Sequence, residues 1–370
     1  MDFAAEGLLD DLEGDGRAAR QQLLDRLAED GFSLAELKTA VAEHRLALLP
    51  VDRVLSGTYT AADVAQRTGL PAELVRRVRR LHGLPEADPD EPMFGEEDIA
   101  AYRAMKQFLD AGFAEESILE IARVLGEGMA RVSATTTAAF AQTFLRPGDS
   151  EHEVAERFAA LSEQLTPALE PVLVAAFKQH LRESVRGGML GRAELQAGEI
   201  AGARELSVCF ADLVGFTRLG GQVELSELGT VAGRLGDIAA SVTKPPVRLV
   251  KTIGDAAMFV SPEPAPLVAV ALKLVQEAED ADLPSLRAGI VLGPAVARAG
   301  DYFGNSVNLA SRVTGIARPG SVLCTREVRE AATDGFEWSS TGRHKLKGVS
   351  GPVPLYRART RAPARTPDPD

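Results

Sequence analysis

The sequence predicts an all-α first half followed by an α+β second half. Three observations carry this expectation. Apolar residues recur at helical spacing from Arg17 to about Gln196, and beyond that point short apolar runs alternate with helical stretches. The charge divides at the same place: residues 1–195 hold 34 acidic and 21 basic side chains, whereas residues 196–370 hold 19 and 20. Between the halves, Gly187, Gly188, Gly191, Gly198 and Gly202 punctuate a polar, weakly helical stretch. A chain of 370 residues is also long for a single core.

In the first half, SLAELKTAVAEHRLALL places Leu34, Leu37, Val41 and Leu48 on one helical stripe, with Ser33 and Glu36 as a capping box at its start. Further helices are expected over 61–67, 71–81, 96–111, 114–145 and 150–185. In the second half, 205–213, 247–253, 256–260, 286–292 and 321–325 read as strands, and 224–242, 265–280, 305–317 and 326–332 as helices. The order βαββαβ, followed by more α and β, predicts a ferredoxin-like core with extensions. The expected layout is an all-helical domain over 1–185, a glycine-rich linker over 186–204, an α+β domain over 205–360 and a disordered tail over 361–370. Because glycine weakens a helix, the linker could sit near balance between helix and loop and act as a switch.

Composition narrows the function classes. With 45% hydrophobic and 25% charged residues, the chain reads as an ordinary folded protein. No stretch approaches the roughly 18 apolar residues of a spanning helix, so no transmembrane segment is expected. The acidic start, MDFAAEGLLDDLEGDG, lacks the layout of a signal peptide. Cys209 and Cys324 do not make a disulfide framework, and a cytoplasmic location is expected. The acidic first half argues against nucleic-acid binding.

The chemistry concentrates in three clusters. FADLVGFT (210–217) ends an apolar strand in Asp212, and the turn after Leu213, through Gly215, Phe216 and Thr217, can aim backbone N–H groups at a phosphate. KTIGDAAMF (251–259) reads as strand, Gly-Asp turn, strand. Asp255 alone would be an ordinary turn residue. If the two strands are neighbours, however, Asp212 and Asp255 emerge at one edge, and two close carboxylates repel unless a cation lies between them. Mg²⁺ prefers hard oxygen ligands, and two ions about 3.5–4 Å apart can clamp both oxygens of a phosphoryl displacement. The bottom-up reading is therefore a two-metal nucleotide site. In DYFGNSVNLASR (301–312), Asn308 and Arg312 share a helix face whose neighbours are small or apolar. The Arg fork suits a phosphate, and Asn can position a ribose oxygen.

These three motifs, in this order and spacing, resemble the class III adenylate/guanylate cyclase catalytic domain over about 200–360. The resemblance implies a dimer of the ferredoxin-like type and two Mg²⁺ or Mn²⁺ ions held by Asp212, Asp255 and the carbonyl of Leu213. It implies that Lys251 and Asp301 read the base, that Asn308 and Arg312 stabilise the transition state, and that Lys345 or Lys347 touches phosphate. Lys251 can donate to the ring nitrogen of adenine and Asp301 can accept from its amine, whereas guanine would face the pair mismatched. The expected reaction is ATP to 3′,5′-cyclic AMP and pyrophosphate. In this family the residues serving one ATP come from opposite subunits, so a homodimer would hold two sites.

The layout of a long helical front joined to such a domain resembles actinobacterial soluble cyclases, whose front domain is regulatory and often inhibitory and in some relatives responds to pH or fatty acids. Phe108, Phe113, Phe140, Phe144, Phe158 and Phe177 could enclose an apolar ligand or build a bundle core. Of the five histidines, His180, just before the glycine-rich junction, draws most interest as a pH input. Residues 59–113 resemble the MerR-like winged-helix pattern, with RRVRR (76–80) as a phosphate-contacting run or a solvated helix face. The competing reading is a non-enzymatic signalling or DNA-binding regulator with a cyclase-like, nucleotide-binding domain. The complete set of catalytic side chains speaks against it.

Overall fold

The computed structural model describes residues 1–85, 88, 90–186, 202–216 and 225–361. The chain divides into two compact units, Met1–Leu181 and Arg182–Asp370. Most of the glycine-rich linker, Thr217 and the tail beyond Arg361 lie outside the described residues.

The first unit is helical around two cores. α1 (Gly14–Glu29), α2 (Leu34–Ala42) and α3 (Leu49–Leu55) close over Leu23, Leu24, Leu27, Leu37 and Leu49, together with Phe3 from the preceding segment. The capping box forms as predicted: Ser33 Oγ accepts from the Glu36 amide, and the Glu36 carboxylate accepts from the Ser33 amide at 2.7 Å. Arg20 is 7% exposed and ties this layer together, donating to Asp11 and to both oxygens of Glu151, each at 2.7 Å. Glu151 opens α8 (Glu151–Arg186).

The second core joins α4 (Ala61–Thr68), α5 (Ala72–Leu81), α6 (Glu96–Asp110) and α7 (Glu115–Phe144) through Val64, Val75, Val78, Ile99, Tyr102 and Leu119. A single β-bridge, Tyr59 to Phe94, is the only strand-like pairing here among the described residues. The basic run of α5 is answered by acids: Arg76 and Arg80 pair with Glu73, and Arg77 pairs with Glu115. That is the pattern of a salt-bridged, solvated face. Of the six phenylalanines, Phe108, Phe113 and Phe177 are exposed, Phe177 at 66%, and Phe140, Phe144 and Phe158 are half-buried, so none sits in either core. His180 is exposed as well. His82, His152 and His344 are half-buried; His82 packs against Gly126 of α7, and burial pulls its pKa down.

The second unit is one mixed sheet with helices on both faces. Its elements are β1 (Arg204–Leu213), α9 (Leu225–Val242), β2 (Arg248–Ile253), β3 (Ala256–Ser261), α10 (Pro264–Asp280), β4 (Leu286–Arg298), β5 (Asp301–Phe303), α11 (Asn305–Ile316), β6 (Ser321–Thr325), α12 (Arg326–Ala331), β7 (Phe336–Lys345) and β8 (Pro352–Thr360). The strand order is β2-β3-β1-β4-β6-β8-β7, with β5 paired to β4. The first four strands form the expected antiparallel βαββαβ core, and β4–β6 is a parallel step. Strand alternation sorts the side chains. Cys209, Ala211 and Leu213 join α9, α10 and α12 in one core, while Val208 and its neighbours face α11 in the other. Cys209 and Cys324 lie on strands either side of β4, both in register with Ile290. Two strand spacings, about 9–10 Å, exceed the reach of a disulfide.

α11 packs close on the sheet at Gly289. A Cβ there would lie 2.4 Å from the Thr314 amide nitrogen and 2.9 Å from the Ala310 carbonyl oxygen. Thr314 Oγ1 also donates to the carbonyl of Phe210 at 3.0 Å, fixing the helix against β1. Gly289→Ala should therefore push α11 off the sheet and destabilise the second unit by about 1–3 kcal/mol. A lowered denaturant midpoint for its transition is the expected result.

Candidate active site

The register of the sheet assembles the acidic edge. Asp212 stands opposite Ala256 of β3 and opposite Arg287 of β4. One residue further, the Leu213 amide donates to the Asp255 carbonyl at 3.0 Å, which locks the β2–β3 turn beside the end of β1. Gly254, with φ of 57°, supplies the left-handed residue of that turn. Asp212 and Asp255 thereby lie close enough for their charges to interact. Burial, followed by the charge of Asp212, raises the Asp255 carboxyl above its ordinary pKa.

The cation at this edge is Arg287, which the sequence reading did not single out. Its Nη2 donates to Asp212 Oδ2 at 2.7 Å and its Nη1 to the Gly315 carbonyl of α11 at 2.9 Å. A charged residue inside the apolar run LRAGIVL was the available signal.

The two carboxylates, hard oxygen donors at one sheet edge, suit a divalent cation, and in this structure the positive charge at Asp212 is that of Arg287. Among the described residues no group of three or more His, Cys, Asp or Glu side chains could hold a metal. Backbone and substrate oxygens would complete the shell. The Leu213 side chain is buried in the core, so only its carbonyl can contribute. Gly215, with φ of 83°, shapes the following turn, and Phe216 packs on the core beside it.

The remaining candidates lie on the α11 face of the sheet. Lys251 of β2 is in register with Met258, which is in register with Phe210, two residues before Asp212. Lys251 forms an ion pair with Asp301 of β5. Asn308 and Arg312 are one turn apart on α11, Asn308 exposed and Arg312 half-buried. Arg312 Nη1 donates to the Gly348 carbonyl at 3.3 Å, which brings the backbone next to Lys347 beside it. Lys345 and Lys347 are both exposed. A groove of about 470 Å³, with Glu279, Asp282 and Ser285 in its lining, holds none of these side chains.

A sheet of this topology, with paired aspartates at the β1 edge and a Lys–Asp pair on the same face, defines a nucleotide cyclase catalytic domain. Residues 199–358 match the adenylate and guanylate cyclase catalytic domain, and residues 1–185 match the adenylate cyclase regulatory domain. Over 369 residues the chain is 40% identical to a pH-sensitive adenylate cyclase of Mycobacterium tuberculosis, covering 97% of this chain and 92% of that protein. It is 34% identical over 270 residues to an adenylate cyclase of Streptomyces coelicolor, covering 72% of this chain and 69% of that one. The chain belongs to the class III adenylate cyclases that carry this regulatory domain, and it is an enzyme rather than a cyclase-like binding protein. The crystal structure of the adenylyl cyclase CyaB from P. aeruginosa aligns with 43% of this chain and 96% of its own, at 21% identity and a TM-score of 0.38. No helix among the described residues is long and apolar enough to cross a membrane.

The raised pKa of Asp255 has a testable sign. A carboxyl whose folded pKa lies above its unfolded value contributes stability at low pH that is lost as pH rises through the folded value. In metal-free protein Asp255→Asn should therefore stabilise the second unit at pH 7, by up to about 1 kcal/mol given the solvent access of the edge. Thermal denaturation across pH should show this gain disappear below the ordinary aspartate range.

Proposed function

We propose that this adenylate cyclase converts ATP to 3′,5′-cyclic AMP and pyrophosphate at sites shared between two copies of the chain. The observation that carries the substrate is the Lys251–Asp301 pair on the same sheet face as Asp212. One donor and one acceptor, held together, match the ring nitrogen and amine of adenine, and a guanine would leave both unpaired.

Asp212 and Asp255, with the Leu213 carbonyl, would hold two Mg²⁺ or Mn²⁺ ions. Bound there, a divalent cation supplies positive charge to oxygens that become more negative during phosphoryl displacement. The protein does the positioning. The turn at Gly215 and Phe216 offers backbone amides to the phosphates, and Lys347 adds charge from beside Arg312. Asn308 orients the ribose so that its 3′-oxygen faces the α-phosphorus, and Arg312 neutralises the charge that builds on the phosphate.

Sharing between copies is supported by how one chain distributes these groups. The cation at Asp212 is Arg287, while Arg312 turns to Gly348. Among the described residues no hydrogen bond or ion pair joins Asn308 or Arg312 to either aspartate. The helical unit is read as regulatory, and the pH-sensitive relative suggests protons as its input; an apolar ligand is the other candidate.

Cyclic AMP production from ATP by the full chain, followed across pH, tests the activity and its regulation. Complementation tests the sharing. Asp212→Ala and Arg312→Ala should each be inactive alone, and their equal mixture should recover about a quarter of wild-type activity, because about half the dimers are mixed and each has one intact site. Asp212→Ala mixed with Asp255→Ala should recover nothing. Failure of the first pair, with subunit exchange confirmed, would show that each chain builds its own site or that the two sites are obligatorily coupled.

A further inference from the structure

We infer that Arg248 and Tyr302 form a positioning pair that sets the distance between Lys251 and Asp301. The inference rests on reading Lys251 and Asp301 as the base-recognising residues.

Lys251 and Asp301 stand on elements that share no backbone pairing. β2 is a sheet edge bonded to β3, whereas β5 is three residues long and bonds β4. The β4–β5 turn consists of Ala299 and Gly300, both left-handed, with φ of 53° and 77°. Ala299 adopts that conformation at a cost. A ribbon this short has little of its own to fix its tip, so side chains must hold β5 against β2.

Two side-chain links span the gap. One is the ion pair itself. In the other, Arg248 Nη2 donates to the Tyr302 hydroxyl at 2.8 Å, and the guanidinium carbon lies 5.3 Å from the ring centroid. Tyr302 packs on the core beneath α11, so its ring is anchored. Its amide donates to Asp301 Oδ1 at 2.8 Å, while Lys251 engages Asp301 Oδ2. Tyr302 therefore orients Asp301 through the backbone and is itself held by Arg248.

A β-bulge makes this arrangement possible. Residues three apart on a regular strand face opposite sides. Here the register shifts between Leu249 and Lys251, so Arg248 pairs with Val260 and Lys251 with Met258, residues two apart on one face. The extra residue brings both basic side chains to the side where β5 lies.

The two links differ in what substrate binding asks of them. To bind adenine, Lys251 and Asp301 must part, each turning to its own base atom. The ion pair cannot then hold the strands in place. The Arg248–Tyr302 link carries no base contact in this reading, and it keeps the spacing when the ion pair opens.

The test compares ATP with inosine triphosphate, whose base replaces the amine by a carbonyl and the ring nitrogen by an N–H. The kcat/KM ratio for the two nucleotides is measured on the full chain. Tyr302→Phe and Arg248→Gln should each narrow the ratio by about three- to tenfold, chiefly through a higher KM for ATP. Arg248→Lys should fall between wild type and Arg248→Gln. A pair with a merely structural role would depress both nucleotides alike. An unchanged ratio in Tyr302→Phe, alongside a collapsed ratio in Asp301→Ala, would overturn the positioning role alone. An unchanged ratio in Asp301→Ala would overturn the base-reading assignment beneath it. Should Arg248→Gln fail to fold, Tyr302→Phe decides, because it keeps the anchored ring and loses only the hydroxyl.

Discussion

The antiparallel register of β1 against β3 is the constraint on which the catalytic unit depends. Asp212 opposite Ala256, with the Leu213 amide bonded to the Asp255 carbonyl, leaves two carboxylates side by side at one sheet edge. Such a pair is uncomfortable: partial burial and mutual repulsion both favour the neutral form of Asp255. A one-residue slip would send Asp212 into the apolar layer under α10 and bring Ala211 to the edge. The packing of Cys209, Ala211 and Leu213 in that layer opposes the slip. Burial on one face of β1 thus specifies the chemistry on the other.

The two faces of the sheet divide the labour. Under α9, α10 and α12 the contacts are almost wholly apolar. On the opposite face α11 covers only part of the sheet, and the ion pairs Arg287–Asp212 and Lys251–Asp301 and the hydrogen-bonded Arg248–Tyr302 gather around it. The close approach at Gly289 fixes the height of α11, and with it the positions of Asn308 and Arg312. Arg287 links the systems, since one guanidinium bonds both Asp212 and the last turn of α11. The loading of the acidic edge and the placement of α11 are therefore mechanically connected.

Long periodic helices and apolar strands were legible in the sequence. The helices expected over 96–111, 114–145 and 150–185 appear as Glu96–Asp110, Glu115–Phe144 and Glu151–Arg186. The strands β1, β2, β3 and β6 fall within a residue of expectation. Short and polar elements were not legible. β5 is three residues with an aspartate at its start, and β7, FEWSSTGRHK, is a polar edge strand that carries no alternating signal. At the site, local motifs announced the aspartates and the Asn/Arg helix face. Arg287 was missed because a lone charge in an apolar strand has no motif, and Arg248 because a bulge breaks the period-two reading. Where the aromatic rings of the helical half lie was not legible either. Apolar content measures what can be buried, and Phe108, Phe113 and Phe177 lie on the surface of their unit.

The central claim is that the Asp212–Asp255 edge is a divalent-cation site. Direct binding of Mn²⁺, followed by electron paramagnetic resonance in the presence of a non-reactive ATP analogue, tests it without depending on turnover. The wild-type chain should bind the ion, Asp212→Ala should lose binding, and Arg312→Ala should retain it. Undiminished Mn²⁺ binding by Asp212→Ala would contradict the account.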